Sequence, residues 1–113
     1  MPHDEALAAR IRDLLAAEPD LTEKKMFGGL AFLLGGNMAV VASGQGGIMV
    51  RIDPDDRDGL LARTKAEPMI MRGSPTSGWL RVATDHLRRR SQLQTWVDRG
   101  VAVARSLPPK EPG

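Results

Sequence analysis

The chain has 113 residues, 42% of them hydrophobic and 27% charged, which is typical of one globular domain. It contains no cysteine, which excludes disulfides, thiolate zinc sites and cysteine nucleophiles, and its apolar runs fall far short of the ~20 residues that cross a bilayer. The N-terminal sequence is charged and has no apolar core of a secretory signal, so we expect a cytoplasmic protein without membrane contact.

The net charge is only +2, but the two halves of the chain differ in sign. Residues 1–60 contain 6 Lys and Arg against 10 Asp and Glu, whereas residues 61–113 contain 10 against 4. Such a charge dipole could orient the protein toward an anionic partner. Folding can also mix the charges again in space, and we favour that interpretation.

The first predicted element is an amphipathic helix at residues 4–17. Its apolar residues follow the spacing i, i+4, i+7 and i+8: Leu7, Ile11, Leu14 and Leu15. Asp4 and Glu5 lie at the positive end of this helix, where acidic side chains are favourable, and Pro19 ends it.

A glycine-rich stretch follows and predicts strands joined by tight turns. The predicted strands are residues 24–27, 30–34, 38–42 and 47–52. Gly35-Gly36-Asn37 is a strong hairpin signal because glycine adopts positive φ without steric cost, and Ser43-Gly44-Gln45-Gly46 is a second, looser one. The segment is therefore predicted to be an antiparallel meander.

A second helix is predicted to start at Asp53-Pro54-Asp55-Asp56, which places an N-cap, a proline and two acids in order. Two further strands are predicted at residues 67–72 and 78–83, with a turn at residues 73–77 between them.

The last predicted helix runs from about Ser91 to Leu107. Its apolar side is formed by Leu93, Trp96, Val97, Val101 and Ala104. Ser91 and Gln94 resemble a capping box, which leaves Arg88-Arg89-Arg90 in the preceding turn. Residues 108–113 are predicted to form a proline-rich tail.

The order of elements is therefore helix, three or four strands, helix, two strands, helix. Strands joined by hairpins, with helices on one side, indicate an α+β two-layer sandwich with an antiparallel sheet of five to six strands. We expect residues 1–113 to form a single domain.

These patterns, in this order, resemble the TfoX/Sxy N-terminal domain family, in particular its short stand-alone bacterial members without the C-terminal domain. The matching residues are Met26-Phe27-Gly28-Gly29-Leu30-Ala31-Phe32-Leu33, Met38, Met49-Val50-Arg51, Pro68-Met69, Gly73-x-Pro75-x-x-Gly78-Trp79, Trp96-Val97-x-x-Gly100 and Leu107-Pro108-Pro109-Lys110. The resemblance implies a secretion-chaperone-like α+β fold with Met26, Phe27, Gly28 and Gly29 as a structural motif. In longer relatives the domain precedes a helical domain and takes part in competence regulation. The resemblance assigns no activity to particular residues.

Catalytic and cofactor motifs are missing from the sequence. No lysine follows the glycines as a phosphate-binding loop requires, and Asp53 begins no EF-hand because Arg57 and Thr64 occupy ligand positions. His3 and His86 are far apart, and we expect both to be solvated. We therefore expect no catalytic residues, no metal and no cofactor.

Strand alternation predicts one candidate binding surface. Met49 and Arg51 point away from the aliphatic face of their strand, as do Trp79 and Arg81. If the helices cover the aliphatic face, these four residues share the other one. Three roles are open for them: a homodimer or protein-partner contact, partial burial under a helix, and stacking with nucleic acid.

A second candidate is the run Arg88, Arg89 and Arg90 before the last helix. Arginines beside free helix amides suit an anion such as phosphate, although a solvated turn explains them as well. The sequence thus predicts a small non-enzymatic binding or regulatory module that contacts a protein partner or itself. The alternative is a nucleic-acid-associated regulator that uses the arginines and the Trp79/Arg81 face.

Overall fold

The computed structural model describes residues 4–26, 28–71 and 73–109, with the side chain of Met71 left out. The elements in these ranges are α1 (Glu5–Leu14), β1 (Leu21–Met26), β2 (Gly29–Leu34), β3 (Asn37–Ala42), β4 (Ile48–Arg51), α2 (Arg57–Arg63), β5 (Glu67–Met71), β6 (Ser74–Val82) and α3 (Arg90–Ser106). All strand pairs are antiparallel, and the six strands lie in the order β1-β2-β3-β4-β6-β5. The predicted α+β two-layer sandwich is confirmed. Most of the predicted tail, residues 110–113, lies outside the described residues.

The helices pack on one face of the sheet. α3 lies against β2, β3 and β4, α1 packs beside α3, and α2 contacts β6. The main core between the two layers includes the fully buried side chains Leu7, Ile11, Phe32, Val40, Val50, Leu80, Leu93 and Val97. Burial of these aliphatic and aromatic groups is the principal force that holds the helix layer on the sheet.

The helix starts agree in part with the sequence prediction. Asp4 caps α1 by accepting hydrogen bonds from the backbone nitrogens of Ala6 and Leu7 at 2.9 and 3.1 Å. α1 ends at Leu14, three residues before the predicted end. Asp53 is an N-cap as predicted, but it begins a 3-10 turn at Pro54–Asp56 that leads into α2.

The predicted turn at residues 73–77 is wrong. β6 already begins at Ser74, which pairs with Met71, while Pro75 pairs with Ile70. Gly73 has a φ of 81° and allows the tight connection. Pro75 is tolerated in the strand because β4 pairs with β6 only over residues 79–82, so the proline nitrogen faces no second strand.

The predicted capping box of Ser91 and Gln94 is also wrong. The side chain of Gln92 accepts a hydrogen bond from the backbone nitrogen of Arg89 at 2.9 Å, so the helix begins at Arg90. Gln94 instead donates to Asp98 one turn further along. The start is fixed one residue earlier because Gln92, rather than Gln94, reaches back to a free amide.

Two glycine pairs explain the first turns of the sheet. Gly35 and Gly36 both have positive φ, 58° and 82°, and form the predicted two-residue hairpin between β2 and β3. In the Met26–Gly29 motif, Gly28 has a φ of 74°, and a Cβ on Gly29 would lie 2.3 Å from a carbonyl oxygen of β3. The motif is therefore a steric requirement of the β1–β2 turn; Phe27 lies outside the described residues.

Surface ion pairs tie the helix layer to β1 and to the connection before it. Arg12 on α1 contacts Glu23 at 2.6 Å, and its hydrogen bonds lower the pKa of that carboxyl. At the other end, Arg105 on α3 binds both Glu18 and Asp20. The hydrogen bond from Arg105 lowers the pKa of Asp20 and, in return, raises the pKa of the guanidinium.

In the described ranges, none of the helices combines the length and the apolar character that crossing a membrane requires.

A candidate binding surface on the second face of the sheet

A second apolar cluster lies on the face of the sheet that points away from the main core. All of its members come from strands: Met26, Ala31, Leu33, Met38, Val41, Met49, Met69 and Trp79. We call this surface the reverse face. No described helix residue belongs to the cluster, so the sheet carries its second hydrophobic surface without a helical cover. The sequence prediction that the helices cover one face is consistent with this arrangement.

The strand register places the centre of the reverse face in one straight line across the sheet. Successive Cα partners are Lys24, Ala31, Val41, Met49, Arg81 and Glu67, on β1, β2, β3, β4, β6 and β5 in turn. We call this line the central row. It is apolar in the middle and ends in a cation at one edge and a carboxylate at the other.

A second line of residues runs beside the central row and contains the aromatic group. Leu33 pairs with Met38, and Arg51 pairs with Trp79. Between β2 and β3 the register shifts after Phe32, because β3 has one extra residue there. This bulge turns the Met38 side chain toward the reverse face, which strict alternation from Val40 would not reveal.

The four residues predicted from the sequence lie together on this face. Met49 is the direct cross-strand neighbour of Arg81, and Arg51 is that of Trp79. The guanidinium carbon of Arg51 lies 5.9 Å from the Trp79 ring centre, and its Nη1 donates to the carbonyl of Met38 at 3.3 Å.

Hydrogen bonds to the sheet and to the β3–β4 connection anchor the guanidinium groups of both arginines. Arg81 donates to the carbonyl of Gly46 at 3.2 Å and to the hydroxyl of Ser43 at 3.4 Å. These acceptors are uncharged oxygens, so the hydrogen bonds do not cancel the positive charges, and the aliphatic stems of the arginines contribute apolar area. The surface combines thioethers, an indole and two anchored cations.

The middle of the reverse face is recessed. Ala31 and Val41 are 0% and 3% exposed, and Met49 is 8% exposed, although none of the described helices covers them. Larger neighbours shield these residues and remain half-buried themselves: Met26, Leu33, Met38, Met69 and Trp79. The accessible part is therefore a rim of flexible thioethers and one ring around a shallow centre.

Sequence reasoning missed most of that rim. Strand alternation placed Met49 on this face, but Met26, Met38 and Met69 belong to it as well. Alternation along β5 puts Met69 on the same face as Glu67, which pairs with Arg81 of the reverse face. Met69 could be assigned to this face only after the order of β4, β6 and β5 was known.

The arginines before α3 form a separate basic cluster on the helix layer. Arg88 makes an exposed ion pair with Asp85 at 2.9 Å, Arg89 is the N-cap of α3, and Arg90 is its first residue. Arg10 of α1 joins them, because its Nη2 donates to the carbonyls of Leu87 and Arg88 at 2.8 and 3.3 Å. No pattern in the sequence pointed to Arg10, which is 78 residues from Arg88.

His86 lines a surface groove of about 360 Å³ beside the start of α3, together with Lys65, Ser91 and Arg99. Arg99 stacks on Trp96, with its guanidinium carbon 4.6 Å from the ring centre. His3 lies outside the described residues. Among the residues that the structure describes, no three His, Asp or Glu side chains are grouped closely enough to hold a metal ion.

Comparison with models of protein families gives a match that covers most of the chain. The family model of the TfoX N-terminal domain matches residues 13–104 of the chain. That range takes in all six strands, α2 and most of α3. The chain matches no curated protein.

Proposed function

Because the chain belongs to the TfoX N-terminal domain family, we propose that it is a small non-enzymatic binding module whose contact surface is the reverse face. In this proposal the partner is a protein, and the apolar rim around Met49 and Trp79 makes the contact. The helix layer serves as the scaffold that keeps the sheet rigid.

The main support is the second apolar cluster, which no described helix covers. A contiguous apolar surface on a globular domain is characteristic of an interaction site. Methionine, tryptophan and arginine are also the residues that interface cores favour, and all three are present. Methionine adapts its shape to a partner at little cost, which suits a docking surface.

The charged groups of the reverse face offer binding interactions to a partner. They include the guanidinium groups of Arg51 and Arg81 and the exposed ends of the central row, Lys24 and Glu67. A guanidinium can stack on an aromatic ring of a partner or pair with its carboxylates. The chemistry of this face therefore includes stacking, hydrophobic contact and charge pairing.

Site-specific photo-crosslinking tests this proposal. A photoreactive phenylalanine analogue is placed at Met38 or Met69 on the reverse face, and at Ala9, an exposed residue of α1, as the matched control. We expect protein adducts in cells from positions 38 and 69 and few from position 9. A Trp79→Ala change should reduce the adducts at position 69, since it removes the largest side chain of the rim.

Equal adduct yields from positions 9, 38 and 69 would contradict the proposed surface. Absence of protein adducts from both reverse-face positions would contradict it as well. Circular dichroism of each variant checks that the sheet and helices are retained.

A second candidate function is nucleic-acid association through the basic cluster. The observation that favours it is Arg10, which brings a fourth guanidinium to Arg88, Arg89 and Arg90 from a distant helix. One of the described acidic residues, Asp85, forms an ion pair with Arg88 of this cluster. Four cations near one helix start suit phosphate groups.

An oligonucleotide titration at several salt concentrations tests this second function. Replacing Arg88, Arg89 and Arg90 by alanine should weaken binding to a duplex. It should also reduce the slope of log K against log salt by roughly 0.9 for each phosphate that the variant no longer neutralises. Arg63→Ala on α2 removes the same kind of charge elsewhere and should change both quantities less. An unchanged slope in the triple variant would exclude the cluster from nucleic-acid binding.

A further inference from the structure

We propose that the reverse face binds a second copy of this chain, stacked about a two-fold axis that runs along the strands. In this dimer Lys24 of each copy faces Glu67 of the other. The inference rests on the proposed function, since it names the partner of that surface.

The first argument is the charge order of the central row. Lys24 lies on β1 at one edge of the sheet, and Glu67 lies on β5 at the opposite edge. Both residues are exposed, and the four residues between them include a single charge, that of Arg81. The two terminal residues of the central row therefore carry opposite charges, and Arg81 is the direct cross-strand neighbour of the negative one, Glu67.

A two-fold axis in the plane between two stacked sheets can run in two principal directions. An axis along the strands reverses the row, so β1 of one copy lies over β5 of the other and each Lys24 faces a Glu67. An axis across the strands leaves the row in the same order, so that lysine faces lysine and glutamate faces glutamate. Lys24 and Glu67 attract each other when they face across the interface, whereas two lysines or two glutamates repel. The charges therefore favour the axis along the strands over the axis across them.

Size is also complementary under the same axis. Reversing the order places β2 over β6 and β3 over β4. The recessed Ala31 then faces the Arg81 stem, and Val41 faces Met49. In the neighbouring line Leu33 faces Trp79. In the central row small residues thus meet large ones, which favours close packing of the two sheets, while in the neighbouring line Met38 faces Arg51.

The arginines do not oppose this arrangement strongly. The two Arg81 residues lie on opposite sides of the axis, three strand spacings or roughly 14 Å apart, which exceeds the screening length of about 8 Å at physiological salt. Arg51 lies next to the axis, where its guanidinium carbon is 5.9 Å from the Trp79 ring centre and its Nη1 donates to the Met38 carbonyl. The remaining repulsion between the two Arg51 residues makes the dimer weak rather than obligate.

The area agrees with a weak dimer. Six strands at ~4.8 Å spacing and about five residues of ~3.3 Å rise give a footprint of roughly 450 Å² per copy. The total of roughly 900 Å² lies at the lower limit for a specific interface, so we expect dissociation constants in the micromolar range.

Variants with exchanged charges test the dimer. Their self-association is measured by sedimentation equilibrium at protein concentrations up to about 0.5 mM, a range that includes micromolar dissociation constants. Lys24→Glu alone puts glutamate against glutamate at two symmetric places, and Glu67→Lys alone puts lysine against lysine. Each single variant should weaken self-association about tenfold or more. The double variant Lys24→Glu/Glu67→Lys should associate like the wild type, and so should an equal mixture of the two single variants.

Lys25→Glu is the matched control, because Lys25 is the neighbour of Lys24 on the same strand and pairs with Leu30, a residue of the main core. It changes the same charge on the helix side of the sheet and should leave association unchanged. Trp79→Ala should reduce association in any face-to-face dimer.

The failures of the two proposals are distinguishable. A wild-type protein that remains monomeric at the highest concentration would overturn the dimer, whereas the proposed function would then be decided by crosslinking to other proteins. If Trp79→Ala leaves the dissociation constant of the dimer unchanged, the interface lies elsewhere on the molecule, and the inference is overturned. Single variants that associate like the wild type, with a mixture that associates more tightly, would identify the axis across the strands and also overturn it.

Discussion

Gly100 offers the sharpest test of how α3 is seated on the sheet. It lies in the helix interior, where alanine normally stabilises by up to ~1 kcal/mol relative to glycine. A Cβ at this position would lie 2.2 Å from the carbonyl oxygen of Ala39 and 2.9 Å from its carbon. Cβ atoms do not approach heavy atoms closer than 3.0 Å, so Gly100→Ala must push α3 away from β3.

The displacement sets the size of the effect. Moving the contact from 2.2 Å to at least 3.0 Å requires about 0.8 Å, and a gap of that size forfeits roughly a quarter to a half of the dispersion energy across it. The buried α3 side chains nearest the contact, Trp96, Val97 and Ala104, would all pack less closely against the sheet. Overpacking of this kind costs about 1–3 kcal/mol, so we expect a net destabilisation of about 1 kcal/mol after subtracting the helix propensity gain of up to ~1 kcal/mol.

Urea unfolding followed by tryptophan fluorescence measures this prediction. Gly59→Ala in α2 is the matched control, because the new Cβ would meet only the Arg63 side chain, at an ordinary 3.5 Å. Gly59→Ala should therefore stabilise by about 0.5–1 kcal/mol, whereas Gly100→Ala destabilises. A Gly100→Ala protein as stable as the wild type would refute the close approach of α3 to β3.

Three further predictions concern stability. Gly29→Ala should destabilise by about 2 kcal/mol in urea, because its Cβ would lie 2.3 Å from a β3 carbonyl; an unchanged midpoint would contradict the packing of this motif. Asn37→Ala should cost about 1–2 kcal/mol in the same assay, since Asn37 is 2% exposed and its side-chain nitrogen donates to the carbonyl of Pro108 at 2.9 Å. Arg105→Gln should lower stability near neutral pH, and its difference from the wild type should shrink as the pH falls below about 4. The hydrogen bond from Arg105 lowers the pKa of Asp20 in the folded protein. The stabilisation is therefore present above the pKa of Asp20 in the unfolded chain and is lost as the pH falls through its pKa in the folded protein. A stability difference between variant and wild type that stays constant down to pH ~3 would refute the pairing of Arg105 with Asp20.

The local elements were predictable where a few neighbouring residues fix the conformation. Gly35 and Gly36 take positive φ in a two-residue turn, and Asp4 caps α1 through its own side chain. Local prediction failed where two local signals competed. Ser74 and Pro75 favour a turn by composition but continue β6, because Gly73 completes the reversal beforehand.

The candidate surface was predictable in outline and not in extent. Strand alternation was sufficient to place Met49, Arg51, Trp79 and Arg81 on one face. The wider rim and its charged ends depend on which strands are neighbours, and β6 inserts between β4 and β5 against the order of the chain. Whether this face binds a partner stays a prediction.

By itself the sequence determined the Gly35–Gly36 turn, the caps at Asp4 and Asp53 and the alternation of side chains on β4 and β6, because these depend on sterics and hydrogen bonds among residues a few positions apart. Only the tertiary structure decided which sheet face the helices cover, which residue joins the basic cluster from α1, and why Gly100 cannot be another residue. Each of these depends on contacts between segments far apart in the chain, such as Arg10 with Leu87 and Gly100 with Ala39. Such contacts are selected by the packing of the whole core, which no local pattern encodes.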